Sequence, residues 1–202
     1  NSVTLVAYFF NWDYNYLGDK NGFKLEIKIK HEHIVQDEWI DFRKESFILP
    51  DGKNSPLSIT IQEETSIVIM QRTKDDKYIT VKQFRHGLKK SNTEFFAGGI
   101  EGSEHESALL AAKRELKEET GYISDNWKHI YTIPSNPTIA DNYAFLYYAD
   151  NCEKVSNQHL DSTEFLEVKE YTEDEINDLI KNNEFVQPIH LMGWLMVKKG
   201  VL

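Results

Sequence analysis

At 202 residues, 40% of them hydrophobic, the chain is long enough to bury a proper core in one domain with an N-terminal addition. A formal net charge of −10 argues against a nucleic-acid backbone as a partner, and no apolar run reaches membrane-spanning length. A single cysteine, Cys152, excludes an internal disulfide framework and suits a reducing cytoplasm.

Residues 3–10 are apolar but lack a basic leader and a cleavage site, so they read as a first strand rather than a signal peptide. Phe, Leu and Ile alternate with Lys and Glu over 23–31, the pattern of a half-exposed strand. Trp12, Tyr14, Tyr16, Trp39 and Phe42 fall in this region and suit the core of a small sheet. Pro50-Asp51-Gly52 is a turn signal. Residues 1–54 are therefore expected as a small β part and 55–202 as the main domain. Strands are expected near 57–62, 65–72 and 78–84, with a turn at Lys74-Asp75-Asp76-Lys77. A short strand at 94–97 leads into Gly98-Gly99 and a helix, and further strands are expected near 128–133, 142–149 and 163–171. Thr172-Glu173-Asp174-Glu175 reads as a capping box opening a helix to about residue 182. Pro188 suits the first turn of a last helix through Lys198, with Trp194 in its core face. The mix predicts an α+β fold with a mixed sheet between helices.

The helix after the glycine pair carries the chemistry. At about 100° per residue, Glu115, Glu118 and Glu119 fall within about 100° of each other at i, i+3 and i+4. Three like charges on one face repel unless a cation sits among them, and a hard divalent ion prefers such oxygen ligands. Leu109, Ala112 and Leu116 form an apolar stripe that can face a core, with Ala108 and Ala111 on the carboxylate side. Arg114 stands four residues before Glu118 and can brace it, and Gly121 ends the helix as a C-cap. Its start is open between a capping box at Ser103-Glu104-His105-Glu106 and an N-cap at Ser107.

From Glu106 through Arg114-Glu115-Leu116-Lys117-Glu118-Glu119-Thr120-Gly121-Tyr122 the chain resembles the Nudix hydrolase family, whose signature is Gly, five residues, Glu, seven residues, Arg-Glu-apolar-x-Glu-Glu-x-Gly-apolar. Here seven residues rather than five separate Gly98 from Glu106, a two-residue extension of the loop. Taking Glu104 as the signature Glu restores the gap of five but leaves nine before Arg114, and Glu106 is preferred. The resemblance implies an α/β/α sandwich and hydrolysis of a nucleoside diphosphate derivative with Mg2+ or Mn2+. It implies metal ligands at Glu115, Glu118 and Glu119 and at the backbone carbonyl of Ala97. Catalytic support falls to Arg114 and Glu106.

Gln83-Phe84-Arg85-His86-Gly87 and Glu94-Phe95-Phe96-Ala97-Gly98-Gly99 resemble paired motifs of the ADP-ribose and nucleotide-sugar hydrolases within that family, with Phe96 where Pro is usual. Arg85 suits phosphate binding or an ion pair with Glu94 or a box glutamate. His86 suits a general base or a structural histidine. Asn136-Pro137-Thr138 places Pro137 16 residues after Gly121, where the ADP-ribose group has a proline, so Asn136 and Pro137 are candidate substrate contacts. Asp161 and Glu164 occupy the region from which the family often supplies a base. In such relatives the N-terminal β part exchanges across a homodimer and one of its aromatics stacks on the nucleobase. The resemblance thus implies a cytoplasmic homodimeric pyrophosphohydrolase of a nucleoside diphosphate sugar or ADP-ribose. The alternatives are a dinucleotide or triphosphate hydrolase, or a sensor that binds a nucleotide sugar without cutting it.

Overall fold

The computed structural model describes residues 30–36, 41–46, 51–54, 58–62, 65–100, 107–160 and 165–200. The expected strand at 3–10, most of the one at 23–31, and Trp12, Tyr14, Tyr16 and Trp39 lie outside these residues. The chain forms two compact units, Asn1–Ile61 and Gln62–Leu202.

In the first unit β1 (Lys30–Gln36), β2 (Asp41–Ser46) and β3 (Ser58–Gln62) form a sheet in that order. β1 and β2 pair antiparallel, with an irregularity between His33 and Val35. Only the start of β1 coincides with the expected strand. β2 is a largely charged segment that forms a strand by pairing with β1.

The second unit is a sheet buried on both faces. Its strands are β4 (Ser66–Thr73), β5 (Tyr78–Arg85), β6 (Lys90–Glu94), β7 (Phe96–Gly99), β8 (Tyr122–Ile123), β9 (Asn126–Pro134), β10 (Tyr143–Lys154) and β11 (Leu166–Tyr171). The helices are α1 (Ala108–Glu115), α2 (Glu173–Lys181) and α3 (Pro188–Lys198). The strand order is β11-β5-β4-β10-β8, with β6 beside β5, β7 beside β4 and β9 beside β10. β4 and β10 run parallel while the other pairs are antiparallel, so the sheet is mixed as expected.

Alternation within β4 shows how one strand serves two layers. Ile67 and Ile69 pack with Ala111, Ala112 and Leu116 of the α1 side. Val68 and Met70 pack with Ile176 of α2, Phe185 and Trp194 of α3. A strand buried on both faces reads as an unbroken apolar run, as Ile67-Val68-Ile69-Met70 does. The Thr172 capping box forms both of its bonds, Thr172 N–H to Glu175 Oε2 at 2.7 Å and Glu175 N–H to Thr172 Oγ1 at 3.3 Å. α3 lies so close to the sheet that a Cβ on Gly193 would stand 2.8 Å from Met70 Sδ.

The single strand expected at 94–97 is instead a junction between two. Glu94 pairs with Val81 of β5, whereas Phe96 pairs with Ile69 of β4, and Phe95 between them plugs the α2–α3 layer. β5 meets β4 only at Gln71–Arg72, and β7 takes over at Ser66–Ile69. The strands therefore part at that end. None of the described helices is long and apolar enough to cross a membrane.

Two stability predictions follow from this packing. Gly121 has φ +77°, and a Cβ there would meet the backbone oxygen of Ser156 at 2.2 Å. Gly121→Ala should therefore cost at least about 2 kcal/mol in urea unfolding, left-handed strain and backbone collision adding together. His190 is buried, and desolvation, reinforced by the charge of Arg85, pushes its pKa from 6.5 down to about 3. Because the folded form resists protonation, its contribution to stability is whole above pH 6.5 and declines as pH falls towards 3. The decline should be about 1.4 kcal/mol per pH unit. Urea titrations between pH 7 and 4 should give a shallower pH slope for His190→Gln than for the wild type; equal slopes would show that this group does not titrate on unfolding.

Candidate active site

Ser107 opens α1, its side chain accepting from Leu110 N–H at 3.3 Å, which settles the N-cap among the described residues. Ser103, Glu104 and Glu106 lie outside them. Ala111 and Ala112 are fully buried against the sheet, so Ala111 belongs to the core rather than to the carboxylate side. After Glu115 the helix changes gait: Leu116–Thr120 is a π turn, closed by Gly121 in the left-handed region. Such turns bond i to i+5 and change the angular spacing of the residues they carry.

That change separates the three box glutamates. Glu115 and Glu119 line a cleft and are largely buried, whereas Glu118 is not part of its lining and has a side chain 49% exposed. Arg114 ties Glu115 and Glu118 together, one guanidinium nitrogen lying 3.1 Å from Glu115 Oε1 and 3.1 Å from Glu118 Oε2. The contact with Glu118 is the i to i+4 pairing that its spacing allows. Gly98 stands against Glu115, and a Cβ there would come within 3.0 Å of the carboxylate carbon. A side chain at that position would displace the carboxylate.

The carbonyls of Leu116, Lys117, Glu118, Glu119 and Gly121 are taken up. Thr120 Oγ1–H donates to Leu116 O and Gly121 N–H to Lys117 O. The chain following β10 closes over the rest: His159 N–H donates to Glu118 O at 2.7 Å, and Gln158 Nε2 donates to Glu119 O at 2.9 Å. Val155 and Ser156 N–H groups both donate to Gly121 O. Asp161 and Glu164, the candidate bases, follow this segment and lie outside the described residues.

The cleft itself, about 1120 Å³, opens where β5 parts from β4 and β7. Ala97 and Gly98 border it beside Glu115 and Glu119, and Arg85 and His86 border it from β5 and the turn that follows. Arg85 and Gln83 both donate to Oε1 of Glu94, a fully buried carboxylate, the Gln83 bond being 2.6 Å. Of the partners open to Arg85, the structure thus selects Glu94. His86 is exposed at the rim. Asn136 and Pro137 lie in the β9–β10 connection and are not among the lining residues.

Three polar residues of this region escaped sequence reasoning. Asn92 and His190 are buried beside the cleft, and Gln158 holds the π turn. Asn92 shares a face with Gln83, Arg85 and Glu94 across the β5–β6 hairpin, a signal that alternation within the hairpin could have supplied. Nothing in the sequence around Gln158 announces its partner.

The donor set fits a hard divalent cation. Glu115 and Glu119 offer carboxylate oxygens in a cleft also bordered by Ala97 and Gly98, the all-oxygen chemistry such an ion prefers. Among the described residues no three His, Cys, Asp or Glu side chains already close on one point. In this conformation it is Arg114 that bridges Glu115 and Glu118.

Comparison with known proteins agrees with this geometry. Residues 60–190 match the NUDIX domain. The chain is 32% identical to an ADP-ribose pyrophosphatase of Bacillus subtilis over 180 residues, covering 87% of this chain and 95% of that protein. It is also 32% identical to a methanol dehydrogenase activator of Bacillus methanolicus, covering 77% and 83% of the two chains. The solved structure of an ADP compounds hydrolase superimposes with a TM-score of 0.76 at 18% identity, over 89% of this chain and 97% of that one, and shares the α+β fold. With the box helix, the glycine approach and the sandwich in place, the chain belongs to the NUDIX family of pyrophosphohydrolases.

Proposed function

We propose that this enzyme cleaves the diphosphate of ADP-ribose or a nucleoside diphosphate sugar, giving a nucleoside monophosphate and a sugar phosphate. The observation that carries the proposal is the sharing of one cleft by Glu115 and Glu119 with Arg85, which Glu94 fixes in place. The likeness to the ADP-ribose pyrophosphatase supports the substrate class.

Nudix hydrolases generally use a divalent metal, and here we take it to be Mg2+ or Mn2+, held by Glu115, Glu118, Glu119 and the Ala97 carbonyl. Bound there, such an ion would neutralise phosphate charge and acidify a coordinated water. Arg114 keeps the carboxylates in register, and Gly98 leaves Glu115 room to face the cleft. Arg85, with a side chain 40% exposed, retains N–H groups for a phosphate oxygen while Glu94 fixes its approach. Water oxygen attacks one phosphorus, the bridging P–O bond breaks, and the displaced phosphate carries away the electron pair. The water's proton passes to a carboxylate, for which Asp161 and Glu164 are the candidates. Glu106, which lies outside the described residues, is proposed as catalytic support. Asn136 and Pro137 are proposed to contact the substrate's second half, a role that requires the β9–β10 connection to border the occupied cleft.

The test is a panel of ADP-ribose, ADP-glucose, UDP-glucose, GDP-mannose, NADH, diadenosine polyphosphates and nucleoside triphosphates, each with Mg2+, Mn2+ or EDTA and phosphatase added to reveal products. ADP-ribose or a nucleotide sugar should lead, and EDTA should abolish turnover. Preference for dinucleotides or triphosphates would move the chain to another substrate class, and tight binding without cleavage would make it a sensor. Glu119→Gln should lower kcat about a hundredfold with the melting temperature preserved; near wild-type turnover would remove Glu119 from the site.

We also infer a cytoplasmic homodimer with residues 1–54 exchanged between protomers. Sedimentation equilibrium should then return twice the chain mass of 23.6 kDa, and a monomer mass would overturn the inference.

A further inference from the structure

The glutamate turn is held at its C-terminal end by a chain segment distant in sequence. A helix end leaves its last carbonyls without partners inside the helix. The segment after β10 supplies them here, and it does so in two ways. Val155, Ser156 and His159 use backbone N–H groups, which almost any residue would provide. Gln158 alone among these residues uses its side chain, whose amide nitrogen lies 2.9 Å from the backbone oxygen of Glu119.

That bond falls at a sensitive place. Glu119 lies within the π turn, where the ordinary i to i+4 ladder is interrupted, and it borders the cleft beside Glu115. The carboxylate reaches the cleft while the carbonyl of the same residue is anchored on Gln158. Fixing that peptide plane restricts the rotation that would carry the carboxylate out of register. Groups that hold a ligand's orientation characteristically alter metal affinity by about 10–100-fold when removed.

We infer that Gln158 is a positioning residue for the box, orienting Glu119 through its backbone carbonyl and thereby setting the affinity of the cleft for a divalent cation. The inference rests on the reading that Glu119 helps to hold that ion.

The experiment is isothermal titration of the metal-free 202-residue chain with Mn2+, together with its metal-free melting temperature. Gln158→Met removes the donor at similar length, and Gln158→Glu replaces it with an oxygen facing an oxygen. Both should weaken Mn2+ binding about tenfold with little change in melting temperature. Gln158→Glu is the sharper case, because an added negative charge near the site would by Coulomb attraction alone tighten cation binding. Unchanged or tighter binding in these variants, or a fall in melting temperature without a loss of affinity, would overturn the inference. Glu119→Gln, titrated alongside, separates the two levels. If it weakens Mn2+ binding while the Gln158 variants do not, the positioning role alone fails. If it leaves Mn2+ binding unchanged, the metal reading of Glu119 fails, and the inference with it.

Discussion

Mutual repulsion among Glu115, Glu118 and Glu119 is the constraint around which this domain is built. Two elementary charges about 4 Å apart interact by about 4 kcal/mol at the effective dielectric of a protein surface. A turn carrying three carboxylates will not hold them together unaided. Arg114 offsets part of the repulsion by bonding two of the three with one nitrogen. The π turn offsets another part by directing Glu119 to the cleft while Glu118 stays at the surface. The divalent cation proposed above would offset the repulsion further.

Holding such a turn requires rigid surroundings, and the two-faced sheet provides them. Ala111, Ala112 and Leu116 are sunk into one face, so the helix carrying the charges cannot roll to relieve them. On the opposite face Trp194, Phe185 and Phe95 interlock around Tyr78, with ring centroids 4.7–6.4 Å apart. At the far end of the parallel β4–β10 pair Arg72 bonds Asp150 through two nitrogens, at 2.9 and 3.0 Å. The sheet is therefore locked at the end where its strands stay together and open at the end where β5 leaves β4. The glutamate turn borders the open end.

Where burial and periodicity act locally, the sequence was legible. The run Ile67-Val68-Ile69-Met70, the Thr172 capping box and the α3 helix beginning at Pro188 lie where their local chemistry places them. So do Arg114 beside Glu118, Gly98 against Glu115 and Gly121 in the left-handed region. Features decided by distant partners were not legible. The π turn depends on how the segment after β10 meets Glu118 and Glu119, and an α-helical projection has no means of anticipating it. The β6–β7 junction depends on which strand each half of one short segment can reach. β2 is a largely charged segment that becomes a strand by pairing with β1.

Arg85 shows why sequence reasoning offered two roles that need not compete. A fully buried carboxylate such as Glu94 is costly to desolvate and needs a partner, and Arg85 and Gln83 meet that need on one of its oxygens. The guanidinium has five donors in a planar fork, so the bond to Glu94 does not exhaust it. A free arginine at the rim would spread over many rotamers and lose entropy on meeting a phosphate. Anchored to a buried carboxylate, it presents its remaining donors from a fixed base, having given up much of that freedom on folding. The structural ion pair and the proposed anion contact are thus compatible, the first fixing the base from which the second would be made. Arg85, Glu115 and Glu119 border one cleft, so in the proposed reading a diphosphate there would meet the arginine and the carboxylate-held cation together.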